Sequence, residues 1–203
     1  VFIIQFLYPN ERGMSTVPPA IALLSRILQD AGHVTALFDT TFYLFDDELT
    51  IINVEKARES GLNVRPIIED QDDDFAHFKK TTRSALTDFS NMIKKFEPNL
   101  IAVSCTETTF ERAYQLIDGT RRLGVPNIFG GVFPTFAPDI AIKYNSVDAL
   151  CIGEGEVAIL QIANAISSRR SWEKATNIWF RAESGQITKN KITAPVDINS
   201  LPT

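Results

Sequence analysis

Continuous apolar runs alternate along this chain with segments whose apolar residues recur three and four apart, a pattern that predicts strands and helices in turn. Val1 to Tyr8 is an apolar run interrupted only by Gln5, as in a strand buried on both faces of a parallel sheet. Pro9 to Pro19 is a loop of turn formers. Pro18 and Pro19 suit a helix start, Ala20, Leu23, Leu24, Ile27, Leu28 and Ala31 give that helix an apolar face, and Gly32 ends it. His33 to Asp39 reads as a second strand. Thr40 to Gln71 then breaks the rhythm: Thr40 to Phe45 is aromatic, and Asp46 to Ser60 is compatible with a short helix. An insertion of this length suits a lid, a partner surface or an oversized packed loop. From Asp72 the spacing predicts a long helix, since Phe75, Phe78, Thr82, Ala85, Phe89, Met92 and Phe96 form one stripe. Asp72, Asp73 and Asp74 stand at its amino end and Lys94 and Lys95 at its carboxyl end, as the helix dipole favours.

Leu100 to Val103 is a short buried strand that breaks into the hydroxylated Ser104 and Thr106. Thr108 with Glu111 forms a capping box, Phe110, Ala113, Ile117 and Thr120 follow at helical spacing, and Gly124 supplies the stop. A fourth strand, Asn127 to Phe129, ends in Gly130-Gly131, and a turn-rich passage from Val132 to Asp139 leads into a short helix ending near Tyr144. Val147 to Ile152 is a fifth strand, running into Gly153-Glu154-Gly155-Glu156, where Glu156 opens a helix through Val157, Leu160, Ala163 and Ile166. Ile178 to Lys189 alternates about Gly185 as a β-hairpin, and Ala194 to Thr203 reads as a linker.

Five strands alternating with helices imply an α/β fold: a flavodoxin-like (Rossmann-like), doubly wound, five-stranded parallel sheet of order 2-1-3-4-5, with a C-terminal β-hairpin. The switch point lies between strands one and three, so loops 9–17 and 104–108 flank the ligand crevice, with 130–135 and 153–156 beside them. Ser104, Thr106, Gly130 and Gly131 then share one rim, where small residues let a bulky ligand approach the backbone. Glu154 and Glu156 count against a phosphate there and suit either accepting bonds from a ligand or capping the helix.

Composition narrows the classes. The chain has 203 residues, 10% of them aromatic, enough for one sizeable core. A net charge of −5 without a basic run argues against nucleic-acid binding. No apolar run has the length of a membrane span and no signal peptide is visible, so a cytoplasmic location is expected. Cys105 and Cys151 lack metal-ligand spacing and read as reduced core thiols. His77 falls off its helical stripe and His33 begins a strand, so neither is read as catalytic. A chain running from Val1 to Thr203 without an initial methionine is read as part of a longer protein.

The Pro-containing first loop, Gly32-His33-Val34, Ser104-x-Thr106, Gly130-Gly131 with Pro134-Thr135, Asp148 and Gly153-Glu-Gly-Glu156 together resemble one family. It is the cobalamin (vitamin B12)-binding domain at the amino end of many B12-dependent radical S-adenosylmethionine enzymes, of the magnesium-protoporphyrin ester cyclase and methyltransferase type. The resemblance covers about Val1 to Pro202. It implies a cobalamin domain over residues 1–170, with an insertion at about 40–71, and a hairpin and linker over 171–203 leading to a radical barrel. Its cofactor-binding positions here are Asn10, Gly13, Ser104, Cys105, Thr106, Gly130, Gly131, Val132, Pro134, Gly153, Glu154 and Gly155, with no catalytic residue and no metal ligand from the chain. In the methionine-synthase-like branch the first loop carries D-x-H-x-x-G, whose histidine ligates cobalt; Tyr8, Asn10 and Gly13 stand at those places. The resemblance therefore implies base-off cobalamin without a histidine ligand, its benzimidazole tail lying along the Ser104–Gly131 rim. The C-x-x-x-C-x-x-C of a 4Fe-4S cluster does not occur in the sequence, so S-adenosylmethionine, the cluster and a small-molecule substrate are expected of a C-terminal radical domain in the same parent chain. Two other readings stay open: a domain that kept the fold, lost cobalamin and serves as substrate cover or interaction module, and a flavodoxin-like or receiver domain.

Overall fold

The computed structural model describes residues 1–10, 18–43, 45, 81, 83–182 and 184–202, and in it the apolar runs become strands of a single sheet. β1 (Ile3–Tyr8), β2 (Val34–Asp39), β3 (Leu100–Ser104), β4 (Asn127–Gly130) and β5 (Ala149–Cys151) are mutually parallel in the order 2-1-3-4-5. β6 (Ile178–Arg181) and β7 (Ile187–Lys189) extend the sheet past β5 as an antiparallel hairpin, so the hairpin is continuous with the domain sheet. The runs without polar alternation are those buried on both faces: Ile4, Phe6, Leu7, Leu100, Ile101 and Phe129 are almost wholly inaccessible. β2, at the edge, leaves Val34 and Leu37 partly exposed.

Each face of the sheet carries its own core. On one, α2 (Ala85–Phe96), α3 (Glu107–Thr120) and the short α4 (Val132–Phe136) and α5 (Pro138–Ala141) cover Leu7, Ile101, Val103 and Phe129. On the other, α1 (Pro19–Asp30) and α6 (Glu156–Ser167) cover Phe6, Ala102, Ile128 and Cys151. At the amino ends of the strands Asp148 ties β4 to β5. Its carboxylate accepts from the Asn127 backbone N–H at 3.0 Å, the Asn127 side-chain amide at 2.9 Å and Arg121 at 2.5 Å.

Four local expectations are corrected. The helix ending at Phe96 begins at Ala85, not Asp72: Ser84 is extended and its hydroxyl accepts from the Thr87 N–H, while Thr81 is bridged to Tyr43. Asp72, Asp73, Asp74, Phe75, His77, Phe78 and Thr82, like most of the 40–71 insertion, lie outside the described residues. α3 is capped by Thr106, not Thr108. Thr106 has extended backbone and the Thr109 hydroxyl accepts its N–H at 3.0 Å, whereas Thr108 already lies in the first turn. The passage after Gly131 is helical from Val132 to Phe136 rather than a run of turns. Finally, α1 buries Ile21 and Leu28 while Ala20 and Ala31 are exposed, so its inward face is rotated towards Ile21.

Candidate functional site

Parallel connectivity brings the carboxyl ends of β3, β4 and β5 side by side, and Ser104 pairs in register with Gly130. Beneath that rim a slot of about 180 Å³ runs between the sheet and its two covering helices α1 and α6. Its floor is Phe6, Ala102, Ile128 and Cys151; its walls are Ala20 and Leu24 of α1 and Ala158 and Ile159 of α6. Engineered apolar cavities of about 150 Å³ admit benzene, so a slot of this size has room for an aromatic ring.

The glycines around it fall into two kinds. Gly131 has φ +102°, and a Cβ there would stand 2.5 Å from the Cys105 carbonyl oxygen; the fold itself requires glycine. Gly153, at φ +76°, is favoured by its conformation alone. Gly130 and Gly155 are different: neither has a positive φ. A Cβ would make only ordinary contacts, 3.6 Å from Cys151 Cβ at Gly130 and 3.6 Å from the Leu24 methyls at Gly155. Side chains at these two positions would occupy the slot without straining the backbone.

Hydrogen bonds hold the rim. The Thr135 hydroxyl donates to the Gly131 carbonyl at 2.8 Å and accepts from the Gly153 N–H at 3.0 Å, bridging the loops after β4 and β5. Glu154 is latched from outside: its carbonyl accepts from the Asn177 amide at 2.8 Å and its carboxylate from the Val196 N–H at 2.6 Å. Asn177 in turn accepts from the Thr193 N–H at 2.8 Å, tying the C-terminal segment to the β5–α6 loop. Both cysteines are free and buried. Burial alone pushes the Cys105 thiol far above its ordinary range, whereas burial and then the Glu156 carboxylate push Cys151 up to about 12. Neither thiol is an accessible thiolate nucleophile.

Of the residues singled out in the sequence, Ser104, Gly130, Gly131, Gly153, Glu154 and Gly155 converge on the slot. Cys105 turns to the opposite core, and Thr106, Val132, Pro134 and Asn10 are not among the residues lining the slot. Asn10 is buried and already engaged. Its carbonyl accepts from the Thr40 hydroxyl at 2.8 Å and Arg112 at 3.1 Å, and its amide donates to the Thr41 hydroxyl at 2.9 Å. Gly13 lies outside the described residues. His33 is buried at the amino end of β2, where its Nδ1 accepts from the Phe2 N–H, at the opposite end of the sheet from the rim. Glu156, also read as a ligand acceptor or helix cap, lines the slot, which further uses Phe6, Ala20, Leu24, Ala158 and Ile159. The sequence signal for the wall residues is only helical periodicity, which names a face but not the turn that overhangs the strand ends.

The sequence profile of the B12 binding domain matches residues 10–163. The uncharacterized methyltransferase PH0819 of Pyrococcus horikoshii is 25% identical over 122 residues, covering 57% of this chain and 26% of that protein. Among solved structures, the radical S-adenosylmethionine methyltransferase TsrM from Kitasatospora setae, with cobalamin and a 4Fe-4S cluster bound, superposes with a TM-score of 0.65 at 19% identity, over 93% of this chain and 30% of that one. The cobalamin-dependent S-adenosylmethionine radical enzyme OxsB, with aqua-cobalamin and S-adenosylmethionine bound, superposes with a TM-score of 0.59 at 16% identity, over 96% of this chain and 23% of that one. At these identities the structural likeness shows the fold. The chain spans about a quarter of the length of the relative it matches. Among the described residues no helix is long and apolar enough to cross a membrane.

Proposed function

The chain belongs to the B12 binding domain family, and from that membership we propose that it holds cobalamin with the nucleotide tail sunk into the slot between the sheet, α1 and α6. The observation that carries this is the pair Gly130 and Gly155, glycines that backbone geometry does not demand and whose missing side chains leave the slot open. Ser104 and the backbone at Gly130, Gly131, Gly153 and Gly155 would face the tail, with Leu24 and Ile159 among the apolar side chains around it. Residues 1–170 form the cofactor domain in this reading.

A tail held in the slot would be withdrawn from cobalt, leaving the cofactor base-off. Among the described residues no histidine would take its place: Asn10 stands where a ligating histidine would be, its amide directed to Thr41, and His33 is at the far end of the sheet. The parent chain, by this proposal, adds a radical domain that binds S-adenosylmethionine and a 4Fe-4S cluster and acts on a small molecule, reached through 171–203. When bound, cobalamin supplies a cobalt centre able to carry a methyl group. This chain supplies burial and orientation. The relatives support the same reading: a methyltransferase, a radical S-adenosylmethionine methyltransferase with cobalamin bound, and a cobalamin-dependent radical enzyme.

The test is incubation of the purified protein with hydroxocobalamin, followed by desalting and absorbance spectroscopy. Retention of about one corrinoid per chain is expected. A folded protein that retains none would overturn the proposal and favour a domain that kept the fold without the cofactor.

A further inference from the structure

Glu156 opens α6 and lines the slot, yet its Oε2 is buried and has no hydrogen-bond partner among the described residues. The neighbouring acid is not in the same position, because the Glu154 carboxylate is taken by the Val196 N–H. Nor does Cys151 satisfy Glu156: the Cys151 sulfur lies 3.8 Å from the Glu154 carbonyl oxygen, its acceptor. A buried carboxylate oxygen without a donor is costly, and in an otherwise satisfied rim it marks where a donor from outside belongs.

Resting on the reading that a corrinoid tail enters the slot, we propose that Glu156 binds the ring nitrogen of the tail's heteroaromatic base through one shared proton, making the slot selective for corrinoids with a basic nitrogen heterocycle. A benzimidazole nitrogen released from a metal carries a lone pair and accepts hydrogen bonds; a carboxylate also only accepts. The two come together when one proton is taken up from water and lies between them, on the ring nitrogen or on the carboxyl. No other bond forms or breaks. A phenolic base, lacking the nitrogen, leaves Oε2 unmatched.

The groups around Glu156 leave this proton to it. β5 contributes Cys151, whose thiol stays protonated across the neutral range, and the β5–α6 loop contributes the engaged Glu154. α1 presents Ala20, Leu24 and Ile27, the next turns of α6 present Val157, Leu160 and Gln161, and the C-terminal segment presents Val196, Ser200, Leu201 and Pro202. None of these titrates.

The experiment measures equilibrium retention of three probes between pH 6 and 9: cobalamin, cobinamide, which lacks the tail, and a cobamide carrying p-cresol as its base. Wild type is expected to prefer cobalamin to the cresol analogue by about 10- to 100-fold, the equivalent of one charge-assisted hydrogen bond. Its cobalamin affinity should fall as pH rises. Glu156→Ala should bring cobalamin down to the cresol analogue and leave cobinamide unchanged. Glu156→Gln, whose amide N–H donates to the ring nitrogen without a titrating proton, should keep cobalamin affinity and lose the pH dependence. Unaltered discrimination and pH dependence in a folded Glu156→Ala would overturn this inference while leaving cobalamin binding intact. Wild type holding cobalamin no better than cobinamide would instead overturn the placement of the tail, and the Glu156 contact with it.

Discussion

Gly131 and Cys105 touch backbone to backbone: a Cβ on Gly131 would lie 2.5 Å from the Cys105 carbonyl oxygen and 3.0 Å from its amide nitrogen. The contact joins the loop after β4 to the end of β3 at the rim of the slot. Because φ at Gly131 is +102°, Gly131→Ala meets both strain and collision. The variant should lose about 1 to 3 kcal/mol of unfolding free energy, read as a lower urea midpoint with an unchanged slope.

Gly130→Val and Ser104→Leu should act on the ligand instead. Gly130 has ordinary backbone geometry and its nearest neighbour for a Cβ is 3.6 Å away, so added carbons enter the slot before they strain the chain. Overpacking of this kind costs about 1 to 3 kcal/mol. Both variants should remain folded by circular dichroism and fail to retain cobalamin after desalting. Wild-type retention by both would move the tail to another part of the crevice.

Asp148 is a structural acid. Replacing it with alanine removes the acceptor of the Asn127 backbone N–H and the partner of Arg121. Hydrogen bonds to charged groups are worth about 1.5 to 3 kcal/mol, so Asp148→Ala should lower stability by about that much. Since the residue sits at the amino ends of the strands, the folded fraction should bind cobalamin like wild type, as measured by titration of the two proteins side by side.

The buried thiols make the domain sensitive to alkali. The Cys151 thiol is raised from an ordinary value of 9.0 to about 12, first by burial and then by Glu156, and burial raises Cys105 in the same direction. The unfolded chain therefore releases these protons at lower pH than the folded one, and folding stability falls as pH rises. Their contribution should be complete below about pH 9 and lost progressively towards pH 12, as read by urea midpoints across that range. At pH 8 a thiol reagent should titrate neither cysteine in the folded protein and both in urea.

The rim of the slot was legible in the sequence because parallel connectivity alone gathers the ends of β3, β4 and β5, and the small residues Ser104, Gly130, Gly131, Gly153 and Gly155 stand at those ends. Its walls were less so. The periodicity of α1 and α6 marks their apolar faces, but that Ala20, Leu24, Ala158 and Ile159 overhang the strand ends depends on helix placement, which no local pattern encodes. The start of α2 was hidden for a related reason: Phe75 and Phe78 carry the stripe of Phe89 and Phe96 upstream in register, and periodicity does not report that Thr81 pairs with Tyr43. Thr106, Thr108 and Thr109 are all chemically able to cap α3, and only the extended backbone at Thr106 selects among them. Asn10 shows the limit at a single site. Its place in the first loop was readable, whereas its engagement by Thr40, Thr41 and Arg112 arises from contacts up to 102 residues away in the chain.

The placement of the tail is tested most directly by electron paramagnetic resonance of the protein-bound cobalt(II) form. A nitrogen on the lower face of cobalt splits the high-field lines into triplets, whether it comes from the cofactor's own benzimidazole or from a histidine. With the tail in the slot and Asn10 held by Thr41, the retained cofactor should give high-field lines without triplet splitting. Triplets in the protein-bound spectrum would contradict the account, and their loss in His33→Ala or His77→Ala would identify the histidine responsible.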